Sequence, residues 1–229
     1  MGKDEGGRMK DERGSHVLLL LDGEEPAKDI IEQFLHNAMY VIATDGAAKY
    51  AFAYDIHLDL IIGDMDSISN ELRRTYEAKG IRIIEEAEQY SNDFEKALRF
   101  ILSESLSRDV IVLGIHGKRT DHLLTNFSVM LRFTDRFESL IAYDASHRHH
   151  FLTEKKNRYL FSSTIGERIS LTPLPEADGV TTSGLFYPIV NEQMIFGQQE
   201  GLSNIISDEN ASVEISSGAL LISVPYKIR

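Results

Sequence analysis

The sequence predicts an α/β protein: an N-terminal, mostly parallel sheet with helices on both faces, followed by a C-terminal antiparallel β-sandwich or barrel. Three observations carry that expectation. Short, continuously apolar strands alternate with helix-like segments as far as about residue 143, the pattern of a parallel sheet buried on both sides. Beyond about residue 146 the segments become short and alternating, with turn formers between them, as in antiparallel sheets. The polar residues of the first part gather just after its strands, where ligands sit in open parallel sheets.

Each element has its own signal. Val17–Leu21 is an apolar run of strand length. Ala27–Asn37 places Ile30, Ile31, Phe34 and Leu35 at helical spacing. Tyr40–Ala43 is a second strand, Ala47–Tyr54 a short helix and Leu58–Ile62 a third strand. Asn70–Lys79 is a helix stopped by Gly80, and Ile81–Ile84 is the strand after it. Phe94–Ser103 puts Phe94, Ala97, Leu98 and Ile101 on one helical face. Val110–Leu113, a helix over His122–Phe133 and Leu140–Tyr143 complete a doubly wound, Rossmann-like half. The second half offers strands at Arg158–Phe161, Arg168–Pro173, Gly179–Thr182, Gly184–Ile189, Ser212–Ile215 and Ala219–Val224. The organisation expected is a disordered tail over residues 1–15, an α/β domain over 16–146 and a β domain over 147–229. The histidines of His147-Arg148-His149-His150 are read as solvent-facing.

Composition narrows the function. The 229 residues include 42% hydrophobic residues, enough for a sizeable core. No cysteine is present, which excludes disulfides and thiolate chemistry and suits a reducing, cytoplasmic setting. The first residues are charged and glycine-rich, without the apolar segment of a signal peptide, and no apolar run is long enough to cross a bilayer. The net charge is −12, from 24 basic and 36 acidic residues, which disfavours nucleic acid. An acidic protein still binds a nucleotide where a divalent cation bridges carboxylates to phosphates.

The chemistry concentrates in two motifs. In Ile61-Ile62-Gly63-Asp64-Met65-Asp66-Ser67, paired carboxylates follow a buried strand, as hard oxygen ligands for Mg²⁺ would. An Asx-turn or a cap on the next helix is the alternative use of the same residues. Asp93, preceded by Gln89, would complete a three-carboxylate site with Asp64 and Asp66, although Asn92 or Asp93 must also cap a helix. In Leu113-Gly114-Ile115-His116-Gly117-Lys118-Arg119-Thr120-Asp121-His122-Leu123-Leu124-Thr125-Asn126, a glycine loop runs from a strand into a helix. Lys118 and Arg119 place positive charge where a transferring phosphoryl group gathers negative charge. Asp45 and Gly46, after the second strand, suit either a helix cap or a nucleotide near a helix N-terminus. Asp22-Gly23-Glu24, after the first, carries the same ambiguity.

These motifs, together with DGAA (45–48), SLTPL (170–174), TTSGLFYPI (181–189) and GLSN (201–204), resemble thiamine pyrophosphokinase in family order over roughly residues 17–224. The resemblance implies a transferase that moves diphosphate from ATP to thiamine, releasing AMP. It implies Mg²⁺ on Asp64, Asp66 and Asp93, and ATP phosphates on Arg119. It places Asp121 and Gln89 near the transfer centre or thiamine, and extends binding to Asp45, Gly46, Gly117, Lys118, His122 and Asn126. It implies a homodimer with active sites between subunits, where Ser183 and Tyr187, with Ser203 and Asn204, help enclose thiamine. A cationic thiazolium and a flat pyrimidine suit an aromatic face. Met65, His116 and Lys118 depart from the family's usual residues. Two other readings stay open on the residues alone: an Asp-x-Asp phosphatase or phosphotransferase, and a non-catalytic module that binds a nucleotide or thiamine. The first usually places its Asp pair after the first strand, whereas here the pair follows the third.

Overall fold

The computed structural model describes residues 14–116, 118–162 and 164–226. The expected tail lies outside the described residues except for Gly14 and Ser15, and Gly117 of the glycine loop also lies outside them. The chain divides into two compact units, one running to Val129 with Phe137–Leu140, the other comprising Met130–Arg136 and the chain from Ile141.

The first unit alternates strand and helix: β1 (His16–Leu20), α1 (Lys28–Leu35), β2 (Ala38–Thr44), α2 (Ala48–Ala53), β3 (Leu60–Gly63), α3 (Asn70–Ala78), β4 (Arg82–Glu85), α4 (Asp93–Ser103), β5 (Asp109–Leu113) and the start of α5 (Thr120–Thr134). Its strands run parallel in the order β4-β3-β2-β1-β5. Neighbouring residues of a strand face opposite sides, so a strand buried at every position is covered on both. Val17 to Leu20 and Leu60 to Ile62 are all inaccessible. The helices bury the stripes their spacing predicts: Ile30, Ile31 and Phe34 on α1, and Phe94, Ala97, Leu98 and Ile101 on α4.

Strand order locates the crevice. From β1 the chain steps outward through β2, β3 and β4, then returns to place β5 on the other side of β1. The connections therefore diverge at the carboxyl ends of β1 and β5, the position where open α/β sheets bind ligands. The two ends are joined there, with the Leu21 N–H donating to the Leu113 carbonyl at 2.9 Å. Gly114 makes this closeness possible, since its φ is +75° and a Cβ would lie 2.3 Å from the Leu21 carbonyl oxygen.

The second unit is antiparallel: β7 (His147–Thr153), β8 (Arg158–Leu160), β9 (Arg168–Ser183), β10 (Glu192–Ile195), β11 (Gly201–Ile205), β12 (Ser212–Glu214) and β13 (Ser217–Pro225), after β6 (Ser139–Tyr143). The 16-residue β9 organises it. Its first half pairs with β11, its second half with β10 and β12, and β13 runs beside both. Inward residues alternate along the strands, as Ile169 and Leu171 on β9 and Leu220, Ile222 and Val224 on β13, to fill one core with Met194, Ile206 and Val213.

Several expectations need correction here. The segments 168–173 and 179–182 are one strand, and Gly184–Ile189 is no strand, keeping only an isolated bridge from Leu185 to Ile206. Strands β10 and β11 had no reading. Nor are the histidines of β7 all solvent-facing. This strand lies between β6 and β13, and its polar side chains that are buried need internal partners. His149 is buried, with one ring nitrogen 2.9 Å from Ser223 Oγ and the other 2.9 Å from Asp144 Oδ2. Among the described residues, no helix is long and apolar enough to cross a membrane.

Candidate active site

The strand ends of the first unit surround a cleft of about 350 Å³. Asp45, Asp64, Gln89, Asp93, Lys118, Arg119, His122 and Asn126, all expected site residues, line it, as do Asp22 and Lys96. Carboxylate oxygens of Asp45, Asp64 and Asp93 lie within 4.8 Å of one another.

Asp45 comes from the end of β2. It does not cap α2, whose N-cap is Ala47 without a side-chain bond. Its Oδ1 accepts from the Gly46 N–H at 2.6 Å and its Oδ2 from the Ser67 N–H at 3.1 Å, so it joins the turns after β2 and β3. Burial pushes its carboxyl up to about 6, and the charges of Asp93 and Asp64 add to the rise. Asp64 follows β3 and is half-buried. Burial alone would raise it, but hydrogen bonds from the Asp66 N–H and the Gln89 amide hold it below the usual range. Asp93 begins α4. Asn92 takes the capping duty, its Oδ1 accepting from the Glu95 N–H at 3.0 Å, which leaves the Asp93 carboxylate for the cleft. Burial raises Asp93 despite the Lys96 ammonium 2.9 Å away.

Asp66 is absent from this group of three. On a straight strand, residues two apart share a face. Met65 between them has φ +64°, so the chain turns, and Asp66 instead accepts from Ser67 Oγ at 2.9 Å. Asp64 and Asp66 therefore form a local turn, while the cap of α3 is Ser69, accepting from the Leu72 N–H. The third carboxylate comes from Asp45, which the sequence associated with nucleotide binding.

Lys96 had no place in the sequence reading. It is 2% exposed, yet its ammonium sits among the acids. Its i,i+3 spacing from Asp93 was a usable signal, masked because it stands between the apolar positions Phe94, Ala97 and Leu98 of α4.

The cation side is exposed. Lys118 Nζ lies 2.6 Å from Asp22 Oδ1. Arg119 donates to Asp121 twice, through Nε at 3.1 Å and Nη2 at 2.5 Å. This pairing holds the Asp121 carboxyl down to about 2, and Asp121 does not line the cleft. The Asn126 side chain is engaged within the protein, accepting from Asn92 at 3.0 Å and donating to the Ile115 carbonyl at 3.2 Å.

The remaining expected site residues lie in the second unit. Ser183 ends β9 and Tyr187 is 59% exposed. Asn204 is buried; its amide donates to the Tyr187 carbonyl at 2.7 Å and accepts from the Tyr187 N–H at 3.1 Å. It therefore presents Tyr187 rather than facing a ligand, because an amide can satisfy both backbone groups at once. The exposed Ser203 donates its N–H to Ser170 Oγ.

Hard oxygen donors at one point, with a surplus of negative charge over the single Lys96 ammonium, suit a small divalent cation such as Mg²⁺. The cations Lys118 and Arg119, which line the same cleft, suit phosphate.

The sequence matches two family models, "Thiamin pyrophosphokinase, catalytic domain" over residues 31–142 and "Thiamin pyrophosphokinase, vitamin B1 binding domain" over residues 149–221. Among characterised relatives, thiamine pyrophosphokinase 1 of Oryza sativa subsp. japonica is 34% identical over 175 residues, 72% of this chain and 64% of that protein. Thiamine pyrophosphokinase 2 of Arabidopsis thaliana is 31% identical over 170 residues, 71% of this chain and 63% of that protein. The match thus spans under two thirds of these relatives' length. The fold is also that of thiamin pyrophosphokinase from Candida albicans, at TM-score 0.80 and 20% identity, covering 93% of this chain and 90% of that one.

Proposed function

The chain belongs to the thiamine pyrophosphokinase family, and from that premise we propose that it transfers diphosphate from ATP to the hydroxyl of thiamine, giving thiamine diphosphate and AMP. The convergence of Asp45, Asp64 and Asp93 in a cleft that Lys118 and Arg119 also line carries the reading. In the transfer, the thiamine oxygen bonds to the β-phosphorus, the bridge between the α- and β-phosphates breaks, and AMP leaves with that bridging oxygen. The hydroxyl proton passes to a base or to solvent. Such reactions need placement and charge neutralisation more than covalent help.

The residues divide the work. Asp45, Asp64 and Asp93 would hold Mg²⁺, with Asp66 beside Asp64 as support. When bound, the ion supplies charge neutralisation on phosphate oxygens. Lys118 and Arg119 face the triphosphate. Asp121, held near 2 by Arg119, is a weak proton acceptor, and its part is to orient that guanidinium. Gln89 steadies Asp64. His122 borders the phosphate side, and Asn126 ties the glycine loop to α4.

The second unit serves thiamine and assembly in this proposal. Phe186, Tyr187 and Val190 are exposed within one short segment, apolar surface that suits either a flat ligand or a second copy. A homodimer would bring Ser183, Tyr187 and Ser203 of one subunit to the cleft of the other. Sedimentation of the full chain at twice its monomer mass is expected, and a monomer that turns over normally would remove the interface role. The absence of cysteine is consistent with work in the cytoplasm.

The decisive assay supplies ATP, Mg²⁺ and thiamine and reads products by mass. Thiamine diphosphate and AMP are expected. Inorganic phosphate in their place would point to a phosphatase, and thiamine binding without ATP consumption to a non-catalytic module.

A further inference from the structure

Asp22 lies after β1 and no role follows for it from the transfer chemistry, yet it holds Lys118, a cation of the cleft. The loops after β1 and β5 touch backbone to backbone. The Glu24 N–H donates to the His116 carbonyl at 2.5 Å, and a Cβ on Gly23 would lie 2.0 Å from the Gly114 carbonyl oxygen and 2.1 Å from that of His116. The frame is therefore fixed, while the side chains on it remain exposed: 40% for Asp22 and 57% for Lys118. Lys118 stands at φ +52°, a left-handed conformation that a lysine adopts only when its surroundings require it. That conformation accompanies an ammonium 2.6 Å from Asp22.

We propose that Asp22 is an exchangeable anchor for Lys118, a counter-ion that holds the ammonium until nucleotide phosphates displace it. The inference rests on the reading of this cleft as an ATP site. In the free enzyme the Asp22 carboxylate keeps the Lys118 ammonium paired beside the cleft. When a triphosphate enters, the ammonium moves from Asp22 to a phosphate oxygen. The exchange is feasible because an exposed ion pair is weak, whereas a phosphate oxygen carries more charge and accepts a charge-assisted bond. Asp22 thus competes with the nucleotide for Lys118 and adds one repelling charge to an already acidic cleft.

The test is calorimetric titration of the full chain with α,β-methylene-ATP and Mg²⁺, for the wild type, Asp22→Asn, Lys118→Met and the double variant. Asp22→Asn is expected to tighten binding by about two- to fivefold, the range of an exposed pair. Lys118→Met should weaken it by a similar factor. In the double variant the gain from Asp22→Asn should shrink to a small residue from the lost repulsion. This coupling is a signal that a merely structural Asp22 would not produce. Weaker binding in Asp22→Asn, or the same gain with and without Lys118, overturns the anchor. If the wild type binds the analogue and makes thiamine diphosphate while the coupling is absent, the anchor alone fails. If the wild type binds no nucleotide, the function reading fails with it.

Discussion

At the residue scale, each acid of the cleft owes its role to its neighbours. Asp93 is available because Asn92 caps α4, and it remains ionisable in a half-buried place because Lys96 stands against it. Removing one member of such a pair leaves the other charge unmatched. Lys96→Met should therefore cost about 1–3 kcal/mol in metal-free urea unfolding, discounted from a fully buried pair because Asp93 keeps access to water. Added Mg²⁺ should recover more stability in the variant than in the wild type, since a bound ion replaces the missing charge. Equal recovery would show that Lys96 and the ion do not share the same carboxylates. Asp64→Ala should nearly abolish AMP release with little loss of fold, because Asp64 is partly exposed and its bonds, from the Asp66 N–H and the Gln89 amide, lie near the surface; normal turnover would remove it from the metal site. The paired carboxylates and the Lys118-Arg119 step were legible because both are local patterns. The substitution of Asp45 for Asp66 was not, since it turns on the left-handed Met65 and on the Ser67 N–H binding an acid 22 residues away.

At the scale of elements, the first unit was legible nearly throughout, because helix stripes and apolar strands announce themselves within a few residues. Caps refine the ends. Ser69 caps α3 away from the carboxylates, and Ser69→Ala should cost about 1 kcal/mol in urea without altering Mg²⁺ affinity. Asn92 caps α4 and also donates to Asn126. Asn92→Ala should cost about 1–2 kcal/mol and weaken Mg²⁺ as well, because α4 carries Asp93. Comparable metal affinity in the two variants would separate α4 placement from the site. The β elements were harder. Strand β7 reads as polar because His149 finds its partners, Asp144 and Ser223, only once β6 and β13 lie beside it, and β9 reads as two strands because turn formers within it, Asp178 and Gly179, are accommodated by pairing.

At the scale of the whole molecule, the acid limit of stability follows from the interior of the second unit. Neither ring nitrogen of His150 has a hydrogen-bond partner among the described residues, and burial drives its pKa down to about 3, helped by Arg148, His149 and Lys156. Asp144, for its part, lies well below the usual carboxylate range, burial being outweighed by bonds from His149 and two backbone amides. A base lowered on folding stays neutral in the folded state while the unfolded chain takes a proton, so stability is full above about pH 6.5 and falls as pH drops toward 3. The Asp144 share is present above its ordinary pKa and is lost at still lower pH. Between pH 7 and 5 the loss from His150 should be about 2 kcal/mol by chemical denaturation. His150→Phe, which keeps a ring against Tyr159, should flatten that slope. A slope unchanged in the variant would place the acid sensitivity elsewhere.

By itself the sequence determined the alternation of strand and helix, the change to antiparallel strands after the middle of the chain, and the loops that hold its acids and bases. These are consequences of side-chain periodicity and turn chemistry, which act over a few residues. Only the tertiary structure decided which acids meet, which lysine is buried among them and which histidines turn inward. Those outcomes depend on strand order, which brings the ends of β2, β3 and β4 to one crevice from residues as far apart as Asp45 and Asp93, and no local pattern encodes such distances.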